Sequence, residues 1–221
     1  MPRPRRGRGV ALPFAQEPAT IWHQDEIALA ETPDGGVIAS MRNEVYHSGY
    51  KGHTSTCNCR GVSSSTDGGS TFGDSAPAPA LVGPVCQATM VSVPGAGAGA
   101  GAGAGVSGRR VIYHANPGHG TPTESKSPPN GRASGTVRRS LDGGATWDRS
   151  VVLNGHDAYS YSCLTRVPQA GFIGLAYETV LPGSDIKQGA SANNIVFTLI
   201  PHDLGNHTAG HAGLRVTGTT P

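Results

Sequence analysis

Ser65-Thr66-Asp67-Gly68-Gly69-Ser70-Thr71-Phe72 returns in altered form as Ser140-Leu141-Asp142-Gly143-Gly144-Ala145-Thr146-Trp147, and both stretches fit the pattern S-x-D-G-G-x-T-W/F. A turn motif that recurs at a long interval marks an array of similar β-units. Its chemistry is that of a hairpin tip: an Asp side chain bonds nearby backbone amides, and a glycine pair accepts positive φ. The closing aromatic is expected to plug the space between neighbouring sheets. Asp67 and Asp142 therefore name an architecture, not a chemistry.

Composition points the same way. The 221 residues include 33 Gly and 17 Pro, and 36% are hydrophobic, the profile of many short strands joined by turns. No long amphipathic helical period is apparent. At roughly 40 to 50 residues for a four-stranded unit and its connections, the chain supplies about four units. The formal net charge is +2, and beyond the four arginines of the opening eight residues the basic groups are scattered, so a nucleic-acid partner has only a weak electrostatic case. No stretch approaches the length of a transmembrane helix, and the basic start lacks the apolar run of a secretory signal. Four cysteines are too few for a disulfide scaffold. Cys57-Asn58-Cys59 with His53 nearby lacks a second ligand pair at zinc-finger spacing, and the histidines, His119 among them, show no metal-ligand spacing, so no metal site is assigned.

Three regions follow: an irregular basic segment at 1–20, a β-domain at 21–204 and a tail at 205–221. Within the domain, Ile27–Glu31 and Val37–Met41 read as strands around a Pro33-Asp34-Gly35-Gly36 turn. Arg60–Ser65 leads into the first repeated motif, and Ala76–Pro84 reads as a Pro/Ala linker. Gln87–Val93, Arg110–Tyr113, Gly135–Ser140, Tyr161–Val167, Phe172–Glu178 and Ile195–Ile200 are the remaining predicted strands. The alternating Gly/Ala run at 95–105 and the Pro/Ser/Thr-rich stretch at 118–130 read as loop insertions.

A set of ordered segments then carries a resemblance. Glu26 is followed by a P-D-G-G turn and, sixteen residues on, by Arg42. Pro84-Val85-Cys86-Gln87-Ala88-Thr89 and Tyr113-His114-Ala115-Asn116-Pro117 come next, and Arg132 stands eight residues before Ser140. Tyr161-Ser162-Cys163-Leu164-Thr165 and Ile173-Gly174-Leu175-Ala176-Tyr177-Glu178 close the series. With the two Asp-box motifs, this order resembles the sialidases, and it runs from residue 26 to 200. The departures are Asp25 where the family has Asn, and the lack of an F-R-I-P segment bearing a first arginine or of the aspartate that serves the family as acid/base.

The resemblance implies an all-β, six-bladed β-propeller, of which about the carboxyl-terminal four blades are represented, with the amino-terminal blades expected to be missing. It implies an exo-α-sialidase: retaining hydrolysis of terminal sialic acids on glycoproteins, glycolipids or oligosaccharides, without organic cofactor or metal. Tyr161 matches the nucleophile, Glu26 its base, Arg42 and Arg132 two of the arginines that bind the substrate carboxylate, and Glu178 a glutamate that braces the first arginine.

The residue types suit the chemistry. A sialoside carries a carboxylate on its anomeric carbon, so an attacking carboxylate would meet like-charge repulsion where a phenol would not. A phenol, with its ordinary pKa of about 10, needs an adjacent base. Guanidinium groups offer a carboxylate two parallel N–H donors. Tyr159, in Ala158-Tyr159-Ser160, competes with Tyr161 for the nucleophile position. Glu31 reads as a solvated strand-end charge, and His114 or His156 as lining for a cleft. The alternative reading is an inactive sialidase-like propeller fragment that binds acidic sugars.

Overall fold

A computed structural model describes residues 24–43, 57–95, 110–118, 132–153, 158–180 and 194–205. The basic start, the Gly/Ala run beyond residue 95, the stretch from 119 to 130, most of the tail, and His53, His119 and His156 lie outside the described residues. Eleven strands are present: β1 Gln24–Glu31, β2 Val37–Asn43, β3 Cys59–Ser65, β4 Ala76–Val82, β5 Thr89–Pro94, β6 Arg110–Pro117, β7 Gly135–Ser140, β8 Arg149–Val152, β9 Ser162–Arg166, β10 Phe172–Thr179 and β11 Asn194–Pro201. They form three antiparallel meanders, β1-β2-β3-β4, β5-β6-β7-β8 and β9-β10-β11. The described residues are thus all-β, with no helix.

Two strands depart from the sequence reading. Ala76–Val82, read as a linker, is β4, and β8 had no sequence signal; both are the outermost strands of their sheets. An outer strand needs ladder partners on one side only, so β4 tolerates Pro77 and Pro79.

The repeated motifs form the turns β3–β4 and β7–β8. In the first, Asp67 Oδ1 accepts the Thr71 amide at 2.9 Å and Gly69 N–H donates to Ser65 Oγ at 2.8 Å. In the second, Thr146 N–H reaches Asp142 Oδ1 and Gly144 N–H reaches Ser140 Oγ, both at 2.8 Å. Gly68 and Gly69 have φ of 72° and 93°, Gly143 and Gly144 of 76° and 96°, values that disfavour any Cβ. Trp147 packs against a cluster formed by Ala30, Ile38, Met90 and Ile112, which joins the first two sheets.

Glu31, read as solvated, is exposed but paired with Arg110 of the second sheet at 2.6 Å. A larger cluster, with Tyr113, Val137, Tyr159, Ile173 and Leu175 at its centre, joins the second and third sheets. Gln87 clamps the start of β9 by giving to Ser162 O and taking from Ser162 N–H, each at 3.0 Å. Cys57 and Cys59 are joined in a disulfide beside β3, which removes both from metal binding.

Candidate active site

The site begins with an irregularity in β1. Asp25 pairs with Arg42 and Ala28 with Ser40, so Glu26 and Ile27 together oppose Met41. This β-bulge puts Glu26 at φ 44°, a left-handed conformation that costs a non-glycine residue about 1–3 kcal/mol. The strain lies at the end of β1 remote from the Glu31 turn, five residues or about 17 Å away along an extended strand.

The Glu26 carboxylate bridges two other elements. Its Oε2 accepts Arg42 from β2 at 2.9 Å, and its Oε1 accepts the Tyr161 hydroxyl at 2.7 Å from the residue just before β9. Asp25 Oδ1 lies 3.6 Å from Arg42 Nε. The Arg132 guanidinium stands 5.3 Å above the centre of the Tyr161 ring, held by Ser160 Oγ and Val85 O at 3.3 Å each. Tyr161 is 40% exposed.

Charges follow from these contacts. Burial pushes the Glu26 carboxyl upward, but the hydrogen bonds from Tyr161 and Arg42 and the charges of Arg42 and Arg132 outweigh it, leaving it below its ordinary 4.5. The Tyr161 phenol is raised above 10, chiefly because it donates to Glu26, with burial and the Glu26 charge adding to this. The resting pair is therefore a neutral phenol against an ionised carboxylate, the arrangement that lets an attacking oxygen hand over its proton as it forms a bond.

The five residues picked from the sequence are brought to one place. Glu178, on β10, receives the Tyr161 N–H on its Oε2 at 3.4 Å and pairs with Tyr161 again through backbone at 2.9 Å. The competitor Tyr159 is wholly buried, stacked on Tyr177 at 4.9 Å between ring centres. Its ring occupies the space where a Gly135 Cβ would sit 2.0 Å away. His114, read as a cleft residue, is also fully buried, and its imidazole is held well below 6.5 by that burial and by Arg60 and Arg138.

Sequence reasoning passed over Arg60, whose guanidinium is buried behind Glu26. Its one signal was a long cation in a strand of small residues, Cys59-Arg60-Gly61-Val62-Ser63. Among the described residues no group of three or more His, Cys, Asp or Glu is placed to hold a metal ion, and no helix is long and apolar enough to cross a membrane.

No family model matches the sequence, and no curated protein does. Solved structures do match the fold. The Hadza microbial sialidase Hz136 superposes at TM-score 0.52 with 25% identity over 81% of this chain. The intramolecular trans-sialidase of Ruminococcus gnavus gives 0.53 with 22% identity over 86%, and the NanB sialidase of Streptococcus pneumoniae 0.55 with 16% over 80%. This chain has the sialidase fold. It spans 28%, 35% and 23% of those three chains, respectively. In a sialidase-fold frame, the three meanders correspond to propeller sheets. The Glu26, Arg42 and Tyr161 cluster lies where β1, β2 and the start of β9 converge, at the opposite ends of β1 and β2 from the turn that faces Gly143.

Proposed function

We propose that this chain carries the nucleophile side of an exo-α-sialidase site acting on terminal sialic acids of glycoproteins, glycolipids or oligosaccharides. The observation that carries the proposal is the chain of contacts Arg42–Glu26–Tyr161, with Arg132 over the phenol ring. Tyr161 attacks the anomeric carbon and passes its proton to Glu26 as the bond to the leaving oxygen breaks, the leaving oxygen departing as the anion or taking a proton from solvent. Water then adds to the anomeric carbon and breaks the glycosyl–tyrosine bond, its hydroxyl staying on the sugar and its other proton going to solvent, while Glu26 returns the phenol's proton. Arg132 and Arg42 supply positive charge for the substrate carboxylate, and Glu178 holds the Tyr161 backbone in place.

A second reading is favoured by one observation: these 221 residues include no segment matching the acid/base aspartate or the F-R-I-P arginine. A chain lacking a general acid loses about 10²- to 10⁴-fold in rate and becomes, in effect, a module that binds acidic sugars.

The deciding experiment offers the purified chain a fluorogenic aryl sialoside, whose activated leaving group departs without protonation, beside a binding titration with free sialic acid. Hydrolysis abolished by Tyr161→Phe supports the enzyme. Binding without hydrolysis supports the second reading, and neither signal overturns both.

A further inference from the structure

We infer that Arg60 is the positioning residue for Glu26, gripping the bulged backbone at the residue that carries the base. This rests on the catalytic reading proposed above.

The bulge interrupts the β1–β2 ladder between Asp25 and Ala28, so the Glu26 carbonyl lies in the irregular step of the register. Arg60 NH2 donates to that carbonyl at 3.2 Å, reaching it from β3 on the far side of β2. The same guanidinium donates through Nε to Ser40 Oγ at 3.1 Å, through NH2 to Ser40 O at 3.4 Å and through NH1 to Cys86 O at 2.5 Å. All its bonds go to carbonyls and a hydroxyl, and it is 1% exposed, with burial pulling it down to about 10, so it stays charged at neutral pH.

A buried guanidinium bonded to no carboxylate is an expensive way to fill space, since an apolar side chain of like volume would pack there without desolvating a charge. What it supplies is geometry. Its rigid fork ties three backbone carbonyls, one of them at the strained Glu26, to one guanidinium.

The guanidinium is itself anchored from the second sheet. Arg60 is a donor only, so Ser40 Oγ accepts from its Nε, and the same oxygen shares a hydrogen bond with His114 Nε2, 3.1 Å away on a neutral imidazole. Trp147, the aromatic of the second repeated turn, abuts the His114 ring at 5.7 Å and 68°. The chain Trp147–His114–Ser40–Arg60 thus connects a turn of the second sheet to the Glu26 backbone of the first.

The test compares wild type with Arg60→Met and Arg60→Lys. Thermal melting reports folding, ¹³C NMR follows the Glu26 carboxyl titration with Glu26→Gln for assignment, and aryl sialoside kinetics separate kcat from KM. The expected result is that folded Arg60→Met titrates Glu26 higher than wild type, because the 2.7 Å bond from Tyr161 is lost. Its kcat falls by about 10²-fold while KM changes by less than about threefold, and Arg60→Lys recovers about tenfold of the loss.

A folded Arg60→Met whose Glu26 titration and kcat match wild type would overturn the inference. Should Arg60→Met not fold, Ser40→Ala takes its place, and an unmoved Glu26 titration there counts against it equally. If wild type hydrolyses nothing, the catalytic reading fails and the titration alone decides the positioning link.

Discussion

Tyr161 and Glu26, 135 residues apart in the chain, are joined by a hydrogen bond of 2.7 Å. Glu26 comes to the contact from a bulge in β1, and Gln87 and Glu178 hold the backbone around Tyr161. One side of the contact is strained and the other clamped, which is how a proton donor and acceptor are kept at working distance without a ligand.

The two tyrosines should separate activity from stability. Tyr161→Phe removes one hydroxyl from a residue that is 40% exposed and is expected to lower sialoside turnover by about 10²-fold or more with little change in melting temperature. Tyr159→Ala removes a fully buried ring and is expected to cost about 3–5 kcal/mol of stability. Denaturant melts and initial rates on the same preparations check both, and a Tyr161→Phe variant with wild-type turnover would remove the phenol from the mechanism.

Acid should silence the base. Glu26 works as a carboxylate, and its folded value lies below 4.5, so kcat/KM is expected to stay level at neutral pH and to fall only as the pH passes below 4.5. Arg42→Met removes the cation at 2.9 Å and should move that acid limb to higher pH. A pH–rate profile of the two proteins gives the answer, and coincident limbs would show that Arg42 does not tune Glu26.

Gly135→Ala should be damaging without touching the site. The added Cβ would stand 2.0 Å from the Tyr159 ring, which is fully buried and stacked on Tyr177. Overpacking of this kind costs about 1–3 kcal/mol. Chemical denaturation is the measurement, with an unchanged midpoint as the adverse outcome.

The repeated turns should make the fold acid-sensitive. Backbone and hydroxyl donors, the Thr71 amide foremost, hold Asp67 down to about 2, and the donors around Asp142 outweigh its burial to lower it as well. A carboxyl depressed on folding contributes stability that is present above its unfolded value near 3.8 and is lost as pH falls toward the folded one. Melting temperature should therefore drop between about pH 5 and about pH 2, and less steeply in an Asp67→Asn, Asp142→Asn double variant. Equal slopes in the two proteins would contradict this.

Much of the architecture was legible because turn chemistry is local. Ser65, Asp67, Gly69 and Thr71 satisfy one another within seven residues, so their pattern carries its own geometry wherever it is placed. The inner strand β10 was legible for a similar reason, since residues 172–177 are apolar or small over most of a strand's length. The outer strands β4 and β8 were not, because a strand paired on one side can be written with prolines and polar groups.

The sequence alone determined that this chain is an array of β-meanders and, through its resemblance to the sialidases, which phenols, carboxylates and arginines to watch. Only the tertiary structure decided that Tyr159 goes into the core while Tyr161 meets Glu26, that Glu26 sits on a bulge, and that Arg60 stands behind it. The reason is geometric: where a side chain points depends on register, and register is set by how three sheets pack against one another, which no short stretch of sequence contains.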